Sequence, residues 1–165
     1  RDRDVTGVQT CALPIYMLKK GDKAPDFRLK DQYGEEIVLS ELKGKKVLIS
    51  WHPLAFTSVC TDQMRSLERN FERLKEAGID VVLGVSVDAQ PSKSVWAKAI
   101  SVEDTLILAD FEPKGEISKA YGVYNEKRGI SGRANIIVDE AGFISFAKEY
   151  KLSELPDIEE IIQNA

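Results

Sequence analysis

The sequence is poor in the residues that build metal centres, and it has no segment suited to a membrane. It contains two cysteines and one histidine in 165 residues, too few for a zinc site of the usual Cys/His kind. No apolar run approaches the roughly 20 residues that span a bilayer. Lysine and arginine number 23 against 27 aspartates and glutamates, and they form no basic patch. We therefore expect no metal, no membrane span and no nucleic-acid partner.

The chain does have the composition of one globular domain. Hydrophobic residues make up 43% and charged residues 30%, which argues against disorder, collagen and coiled coil. A chain of this length buries about two-thirds of its unfolded surface, so it can form a core without disulfides. It contains no internal repeats and no low-complexity tracts.

The first 16 residues differ from the rest of the chain. They show neither helical nor strand periodicity, and they lack the apolar stretch of a signal peptide. They include the letters VTGVQTCALPI, which resemble the conceptual translation of a common sequencing adaptor. We therefore predict that residues 1–16 are a non-native extension and that residues 17–165, starting at Met17, form a single domain. Cys11 would then not belong to the native protein, and Cys60 would be its only cysteine. If residues 1–16 are instead a genuine disordered arm, the native protein has both cysteines.

Hydrophobic periodicity predicts strands and helices that alternate along the chain. The predicted strands are Lys45–Trp51, Asp80–Val87, Leu106–Ala109, Ala134–Val138 and Phe143–Lys148, and a hairpin is expected over Arg28–Leu39. The predicted helices are Cys60–Ala77, Ser92–Ile100, Lys114–Tyr121 and Pro156–Asn164. This order indicates an α/β fold with a central mixed β-sheet flanked by helices, as a thioredoxin-like layout would give.

The stretch WHPLAFTSVCTDQ, residues 51–63, is the strongest candidate for chemistry. It places Cys60 in the first turn of an amphipathic helix, where free N–H groups and the helix dipole favour an anion. A free thiol has a pKa of about 8.5 and is only about 3% ionised at pH 7. Lowering a thiol pKa to about 6 takes roughly 3.4 kcal/mol, whereas a helix terminus supplies about 0.3–1 and at most about 2 kcal/mol. A reactive thiolate would need a cation, most simply an arginine, and without one Cys60 is an inert packing residue.

Four residues complete a recognisable pattern. Pro53, Thr57 and Cys60 form P-x-x-x-T-x-x-C, and Arg133 directly precedes a predicted strand. This combination resembles the peroxiredoxins, the thiol-dependent peroxidases of the alkyl hydroperoxide reductase/thiol-specific antioxidant family. The resemblance extends to the letters GDKAPDF, VSVD and ADF, and it covers essentially all of 17–165. Among the branches of the family, the chain looks most like the one-cysteine, alkyl hydroperoxide reductase E-like branch.

The resemblance implies a thioredoxin-like fold and a role for each residue of the pattern. Cys60 would be the nucleophile that attacks a peroxide oxygen and becomes a sulfenic acid. Thr57 would hold the peroxide through its hydroxyl, and Pro53 would shield the sulfur from water. Arg133 would stabilise both the thiolate and the charge on the departing oxygen.

Further residues are expected close to this centre. The backbone N–H of Val59 would point at the peroxide, and Phe56 would line the pocket or a dimer face. Gln63 stands where many family members carry glutamate, and its amide can hydrogen-bond an arginine without adding charge. His52, the single histidine, is expected to be a packed or hydrogen-bonded side chain rather than a proton shuttle.

With Cys11 excluded, an external thiol has to reduce the sulfenic acid: a low-molecular-weight thiol, a glutaredoxin-like protein or thioredoxin. The sequence therefore predicts a peroxidase for hydrogen peroxide or small alkyl hydroperoxides, with no cofactor. The lone thiol and the lack of a signal sequence suggest the reducing cytoplasm. The resemblance suggests a homodimer or a ring of dimers.

Three other functions stay open at this point. A thiol–disulfide oxidoreductase on the same fold is weakened because Thr57 and Gln63 stand where a C-x-x-C motif would need a second cysteine. A non-enzymatic redox sensor or holdase would begin with the same sulfenic acid. A binding module would leave Cys60 inert.

Overall fold

The computed structural model describes residues 13, 14 and 16–165. The predicted extension 1–16 therefore lies almost wholly outside the described residues, as does Cys11, and its origin stays a prediction. In the part of the chain that is described, no helix combines the length and the apolar character needed to cross a bilayer.

The elements follow the predicted order, with some additions. The strands are β1 (Arg28–Lys30), β2 (Glu36–Val38), β3 (Val47–Trp51), β4 (Val81–Ser86), β5 (Leu106–Ala109), β6 (Tyr124–Asn125), β7 (Ile130–Ser131), β8 (Arg133–Val138) and β9 (Ile144–Tyr150). The helices are α1 (Ser58–Arg69), α2 (Phe71–Glu76), α3 (Gln90–Ala99), α4 (Glu116–Ala120) and α5 (Ile158–Gln163), with a 3-10 turn at Leu39–Leu42.

Seven of these strands form one mixed sheet in the order β2-β1-β5-β4-β3-β8-β9. The neighbours β3 and β4 are parallel, as are β4 and β5, whereas the other pairs are antiparallel. Every residue of β3 and β8 is buried, as is usual for strands covered on both faces. The predicted α/β fold with a central mixed sheet is confirmed, and so is the hairpin, which β1 and β2 form.

Each face of the sheet carries its own hydrophobic core. Ile49 and Trp51 of β3 pack with Tyr121, at the end of α4, on one face. Leu48 points to the opposite face and packs in the core that contains Cys60 and residues of α1, α2, α3 and α5. Successive residues of a strand face opposite sides, so β3 serves both layers. Cys60 therefore lies where α1 packs against the sheet.

The prediction of one continuous helix over Cys60–Ala77 is wrong. The structure divides it at Asn70, whose backbone leaves the helical region (φ −105°, ψ 16°) and whose side-chain amide donates to the carbonyl of Ser66. Asparagine competes with the helix in this way through short-range hydrogen bonds. The small β6–β7 hairpin was not predicted, and the ends of the other elements differ from the predictions by up to two residues.

Gly84 of β4 has no room for a side chain. A Cβ atom at this position would lie 2.5 Å from Sδ of Met64 and 3.4 Å from Cε1 of His52, both of which are fully buried. We predict that Gly84→Ala lowers the free energy of unfolding by about 1–3 kcal/mol because it overpacks the core. Chemical denaturation measures this change. Gly132→Ala is the control, since its Cβ would meet no atom closer than 3.4 Å; an equal loss in both variants would contradict the explanation.

Candidate active site

The site lies where the end of β3 is connected to the start of α1. The backbone leaves β3 at Trp51, passes through the loop 52–57 and enters α1 with Thr57 as the N-cap residue. Cys60 is the third residue of α1 and is only 1% exposed. Its sulfur therefore sits in the N-terminal turn, where unpaired N–H groups favour a thiolate.

Arg133 reaches this sulfur because β8 runs antiparallel to β3. The pairing of Trp51 with Ala134 places the first residue of β8 beside the end of β3. Nη1 of Arg133 lies 3.5 Å from Sγ of Cys60, and both side chains are buried. The structure thus brings together the cysteine and the arginine that the sequence analysis paired.

Neutral groups hold Arg133 in place. The carbonyl of Leu152 accepts from Nε and Nη2 at 3.2 and 2.7 Å, and Oε1 of Gln63 accepts from Nη1. Gln63 is itself fixed, because its Nε2 donates to Oγ of Ser50 at 2.7 Å and to the carbonyl of Trp51 at 3.1 Å. Among the described residues no carboxylate forms an ion pair with this guanidinium. Its charge is therefore available to an anion at Cys60.

A cavity of about 230 Å³ opens onto Cys60. Pro53, Thr57, Val59 and Arg133 line it together with the cysteine, so five of the predicted site residues meet in one space. Pro53 is buried, whereas Thr57 is exposed. The arrangement joins a nucleophile, a cation and a hydroxyl around a volume that admits a small molecule.

The hydroxyl of Thr57 has a fixed direction. Its Oγ1 donates to the carbonyl of Leu54 at 2.7 Å. A hydroxyl that donates in one direction still has two lone pairs that can accept. Thr57 can therefore accept a hydrogen bond from a ligand that enters the cavity.

Two of the predicted substrate-binding residues do not line this cavity. Phe56 is 58% exposed, its backbone is left-handed (φ 69°), and its ring lies 6.1 Å from that of Trp96. Gln63 is buried and contacts Arg133 instead of the open space. The structure therefore gives Gln63 a positioning role, and the suggestion that Phe56 forms part of a dimer face stays a prediction.

The sequence analysis missed five residues that line the cavity: Leu54, Ser58, Arg128, Ile130 and Leu152. The first two fall inside the stretch 51–63 that was already singled out. The other three come from segments around β7 and after β9, and only the folded sheet brings them to the cysteine. Their sequence surroundings carry no signal that could have found them.

A second pair of polar residues is buried in the same core. His52 and Lys93 are both fully buried, and Nζ of Lys93 lies 2.9 Å from Nε2 of His52. Burial lowers the pKa of Lys93 to about 7, although the charges of Asp88, Cys60 and Asp110 act in the opposite direction. Burial, followed by the charge of Lys93, lowers the pKa of His52 well below its ordinary value. His52 is thus a packed, hydrogen-bonded and neutral side chain, as expected.

A larger cavity lies elsewhere among the described residues. It has about 560 Å³ and lies near the N-terminal end of β3, with Val47, Val138 and Leu39 in its wall. Neither cysteine nor histidine lines it, so it offers no nucleophile or base comparable with the smaller cavity. Nor do the described residues contain a cluster of histidine, cysteine and carboxylate side chains that could hold a metal ion.

Comparison with known proteins agrees with this geometry. The AhpC/TSA family matches residues 20–147 of the chain. Alkyl hydroperoxide reductase E of Mycobacterium bovis is 39% identical over 145 residues, which cover 86% of this chain and 92% of that protein. Peroxiredoxin Bcp of Escherichia coli is 34% identical over 149 residues, with the same coverages. The crystal structure of a reduced 2-Cys peroxiredoxin from Plasmodium vivax superposes with a TM-score of 0.80 at 27% identity, covering 88% of this chain and 79% of that one. The predicted thioredoxin-like fold is confirmed.

The buried lysine predicts an unusual dependence of stability on pH. The pKa of Lys93 is about 7 in the folded state and 10.5 when unfolded, so between these values the unfolded chain binds the extra proton. The contribution of Lys93 to the free energy of unfolding therefore rises with pH across this window and is least favourable below pH 7. We predict that Lys93→Met raises the free energy of unfolding by roughly 3–5 kcal/mol at pH 6, and by much less at pH 10.

Chemical denaturation at a series of pH values measures this difference. Lys98→Met, on the exposed face of the same helix, is the control and should leave the free energy of unfolding within about 0.5 kcal/mol at every pH. A gain for Lys93→Met that does not change with pH would mean that the ammonium is not the cause.

Proposed function

The chain belongs to the AhpC/TSA family, and we propose that it is a thiol-dependent peroxidase that reduces hydrogen peroxide or small alkyl hydroperoxides at Cys60. One observation carries the proposal. The guanidinium of Arg133 lies 3.5 Å from the sulfur of Cys60, at the wall of a cavity of small-molecule size. A cation in contact with a cysteine at a helix N-terminus favours the thiolate, the form of sulfur that is nucleophilic.

The first step is attack of the thiolate on one peroxide oxygen. An S–O bond forms while the O–O bond breaks, and the departing oxygen takes a proton to leave as water or an alcohol. The sulfur is oxidised to a sulfenic acid and the peroxide is reduced. Negative charge moves from the sulfur to the departing oxygen during this step. Nη1 of Arg133, which contacts the sulfur, can stabilise that charge as it moves.

The remaining residues of the cavity wall orient the substrate. The hydroxyl of Thr57 can accept a hydrogen bond from the peroxide, and the backbone N–H of Val59, in the first turn of α1, can donate one. Pro53 is buried and lines the same cavity as Cys60, where it would limit the access of water to the sulfur. Holding the reacting atoms together in this way lowers the entropy cost of the encounter.

An external thiol completes the cycle in this proposal. Cys60 is the one cysteine among the described residues, while Cys11 lies outside them. A thiol attacks the sulfenic sulfur, water leaves, and a second thiol reduces the mixed disulfide. The reductant would be a low-molecular-weight thiol, a glutaredoxin-like protein or thioredoxin.

The assembly and location of the protein are also proposals. We propose a homodimer or a ring of dimers, supported by the family resemblance and by the exposed aromatic ring of Phe56 beside the active-site loop. The cytoplasmic location stays a prediction from the sequence.

We predict that one equivalent of hydrogen peroxide oxidises Cys60 many orders of magnitude faster than it oxidises free cysteine. Stopped-flow tryptophan fluorescence follows the reaction, and intact mass with a sulfenic-acid trap identifies the product. Cys60→Ser should abolish it, whereas Cys11→Ser and a chain starting at Met17 should react like the full chain. With a thiol reductant present, peroxide should then be consumed over many turnovers.

Each competing function has a distinct outcome in this experiment. A rate like that of free cysteine would contradict the proposed function and favour a binding module. Fast oxidation without turnover would favour a redox sensor. A disulfide between Cys11 and Cys60 in the oxidised protein would contradict the one-cysteine cycle.

Arg133 should account for a large part of the rate. We predict that Arg133→Met slows the oxidation of Cys60 by about 10²–10³-fold, since it removes donors aimed at the developing charge. The stopped-flow assay measures this rate. Arg65→Met, on the exposed face of α1, is the matched control and should react like the parent protein. Equal rates for the two variants would show that the contact with Cys60 is not used.

A further inference from the structure

The wall of the cavity at Cys60 contains two arginines and no acidic side chain among the described residues. Arg128 and Arg133 are its charged members, and its other residues besides the cysteine are apolar or carry a hydroxyl group. The chain as a whole has a net charge of −4, so the sign of this wall is opposite to that of the protein. A concave surface lined by one sign of charge attracts ligands of the other sign, here anions.

Arg128 belongs to this wall, but the peroxide step described above does not use it. It lies in the turn between β6 and β7, where its backbone N–H donates to the carbonyl and to Oδ1 of Asn125 at 3.2 and 3.1 Å. The residue is exposed, and within the described part of the chain no carboxylate forms an ion pair with it. Arg128 is therefore a cation at the rim of the cavity whose charge is available to a ligand.

The fold holds the β6–β7 hairpin beside the active-site loop. Oγ of Ser131, in β7, donates to the carbonyl of His52 at the start of that loop, at 3.0 Å, and this contact is buried. Ile130, the other residue of β7, lines the cavity together with Arg128. The position of the arginine at the rim therefore follows from the packing of the hairpin.

The cavity is larger than hydrogen peroxide requires. Its volume is about 230 Å³. A water molecule takes up about 30 Å³ of the liquid, and hydrogen peroxide, with two heavy atoms, roughly twice that. Leu54, Ile130 and Leu152 provide apolar wall for the rest of the space. The cavity can therefore accept a second, larger reactant that has a short carbon chain and a negative charge.

The two reactants of the proposed cycle meet different charges in this space. The peroxide meets Cys60 as a thiolate, whose negative charge offsets one of the two guanidinium groups. The external thiol meets a neutral sulfenic acid, so the charges of Arg128 and Arg133 are then both uncompensated within the described wall. An anionic reactant is attracted more strongly at this second stage. Cys60 is only 1% exposed, so the reductant has to enter the cavity, which a low-molecular-weight thiol can do.

We propose that Arg128 determines the specificity for the reductant, and that it recruits low-molecular-weight thiols that carry a carboxylate. The proposal rests on the proposed function, since it names the class of thiol that completes that cycle. The thiolate sulfur of the reductant attacks the sulfenic sulfur; an S–S bond forms, the S–O bond breaks, and hydroxide takes a proton and leaves as water. A second thiolate of the same class attacks the reductant's sulfur in the mixed disulfide, and Cys60 leaves as a thiolate. Two thiols are thereby oxidised to one disulfide, and the sulfenic acid is reduced.

Reduction of the sulfenic acid by two thiols of similar size tests the proposal. Mercaptopropionate carries a carboxylate, whereas mercaptoethanol is neutral, and the ratio of their rates cancels any general change in the reactivity of the sulfur. Stopped-flow tryptophan fluorescence measures both rates after one equivalent of hydrogen peroxide. Arg128→Met should lower the ratio about two- to fivefold, as the loss of an exposed ion pair would. The difference should disappear between about 0.01 M and about 1 M salt, where the Debye length falls from about 30 to about 3 Å.

Lys127→Met is the matched control. Lys127 is exposed, precedes Arg128 in the same turn and does not line the cavity, and its replacement removes the same unit of charge. This variant should keep the parental ratio. An unchanged ratio in Arg128→Met would overturn the proposal, and so would an equal fall in both variants, because net charge alone would then explain the result.

A measurement without peroxide separates this proposal from the proposed function. Iodoacetate is an anion and iodoacetamide is its neutral counterpart, and both alkylate reduced Cys60. Arg128→Met should lower the ratio of these two rates, whereas Lys127→Met should not. That result, combined with slow oxidation of the parent protein by peroxide, would uphold the recruitment of anions by Arg128 and reject the peroxidase. Fast oxidation of the parent, with both ratios unchanged in Arg128→Met, would do the reverse.

Discussion

The antiparallel pairing of β3 with β8 is the constraint on which the site depends. β3 leads through a short loop to α1, which carries Cys60, and β8 begins with Arg133. Their register, with Trp51 opposite Ala134, determines which side of the sheet the arginine faces. A slip of one residue would turn Arg133 to the other layer and break its contact with the sulfur. Both strands are fully buried between two hydrophobic cores, so packing on each face holds that register.

The charges around the sulfur are arranged at a cost in stability. Arg133 and Lys93 are both buried, and in the described part of the chain Arg133 contacts one carbonyl, one amide and the sulfur of Cys60, whereas Lys93 contacts an imidazole. Neutral groups solvate a cation less well than water does, so the burial of each charged group lowers the free energy of unfolding. In the proposed function, an anion at Cys60 would offset part of this cost for Arg133, which contacts the sulfur.

How much of this site the sequence predicted depends on how far apart along the chain the interacting residues lie. Residues 51–63 could be assigned to the site because the strand, the loop and the helix follow one another along the chain. Arg133 is distant in sequence and was assigned through the family resemblance. The burial of Lys93 could not be predicted. On an amphipathic helix a lysine normally faces solvent, and here the packing of Trp96 against the sheet rotates that position inward. The break at Asn70 depends on a side-chain hydrogen bond that competes with helix formation, and periodicity does not report such bonds.

The amide of Gln63 shows how the surroundings select one residue over its acidic counterpart. Its Nε2 donates to the carbonyl of Trp51, an oxygen that can only accept. A glutamate in the ionised form cannot donate, so two acceptors would face each other in a buried space. The amide also orients Oε1 toward Arg133 without neutralising it. A carboxylate there would compete with the sulfur for the guanidinium, whereas the neutral amide leaves the charge of Arg133 available to an anion at Cys60.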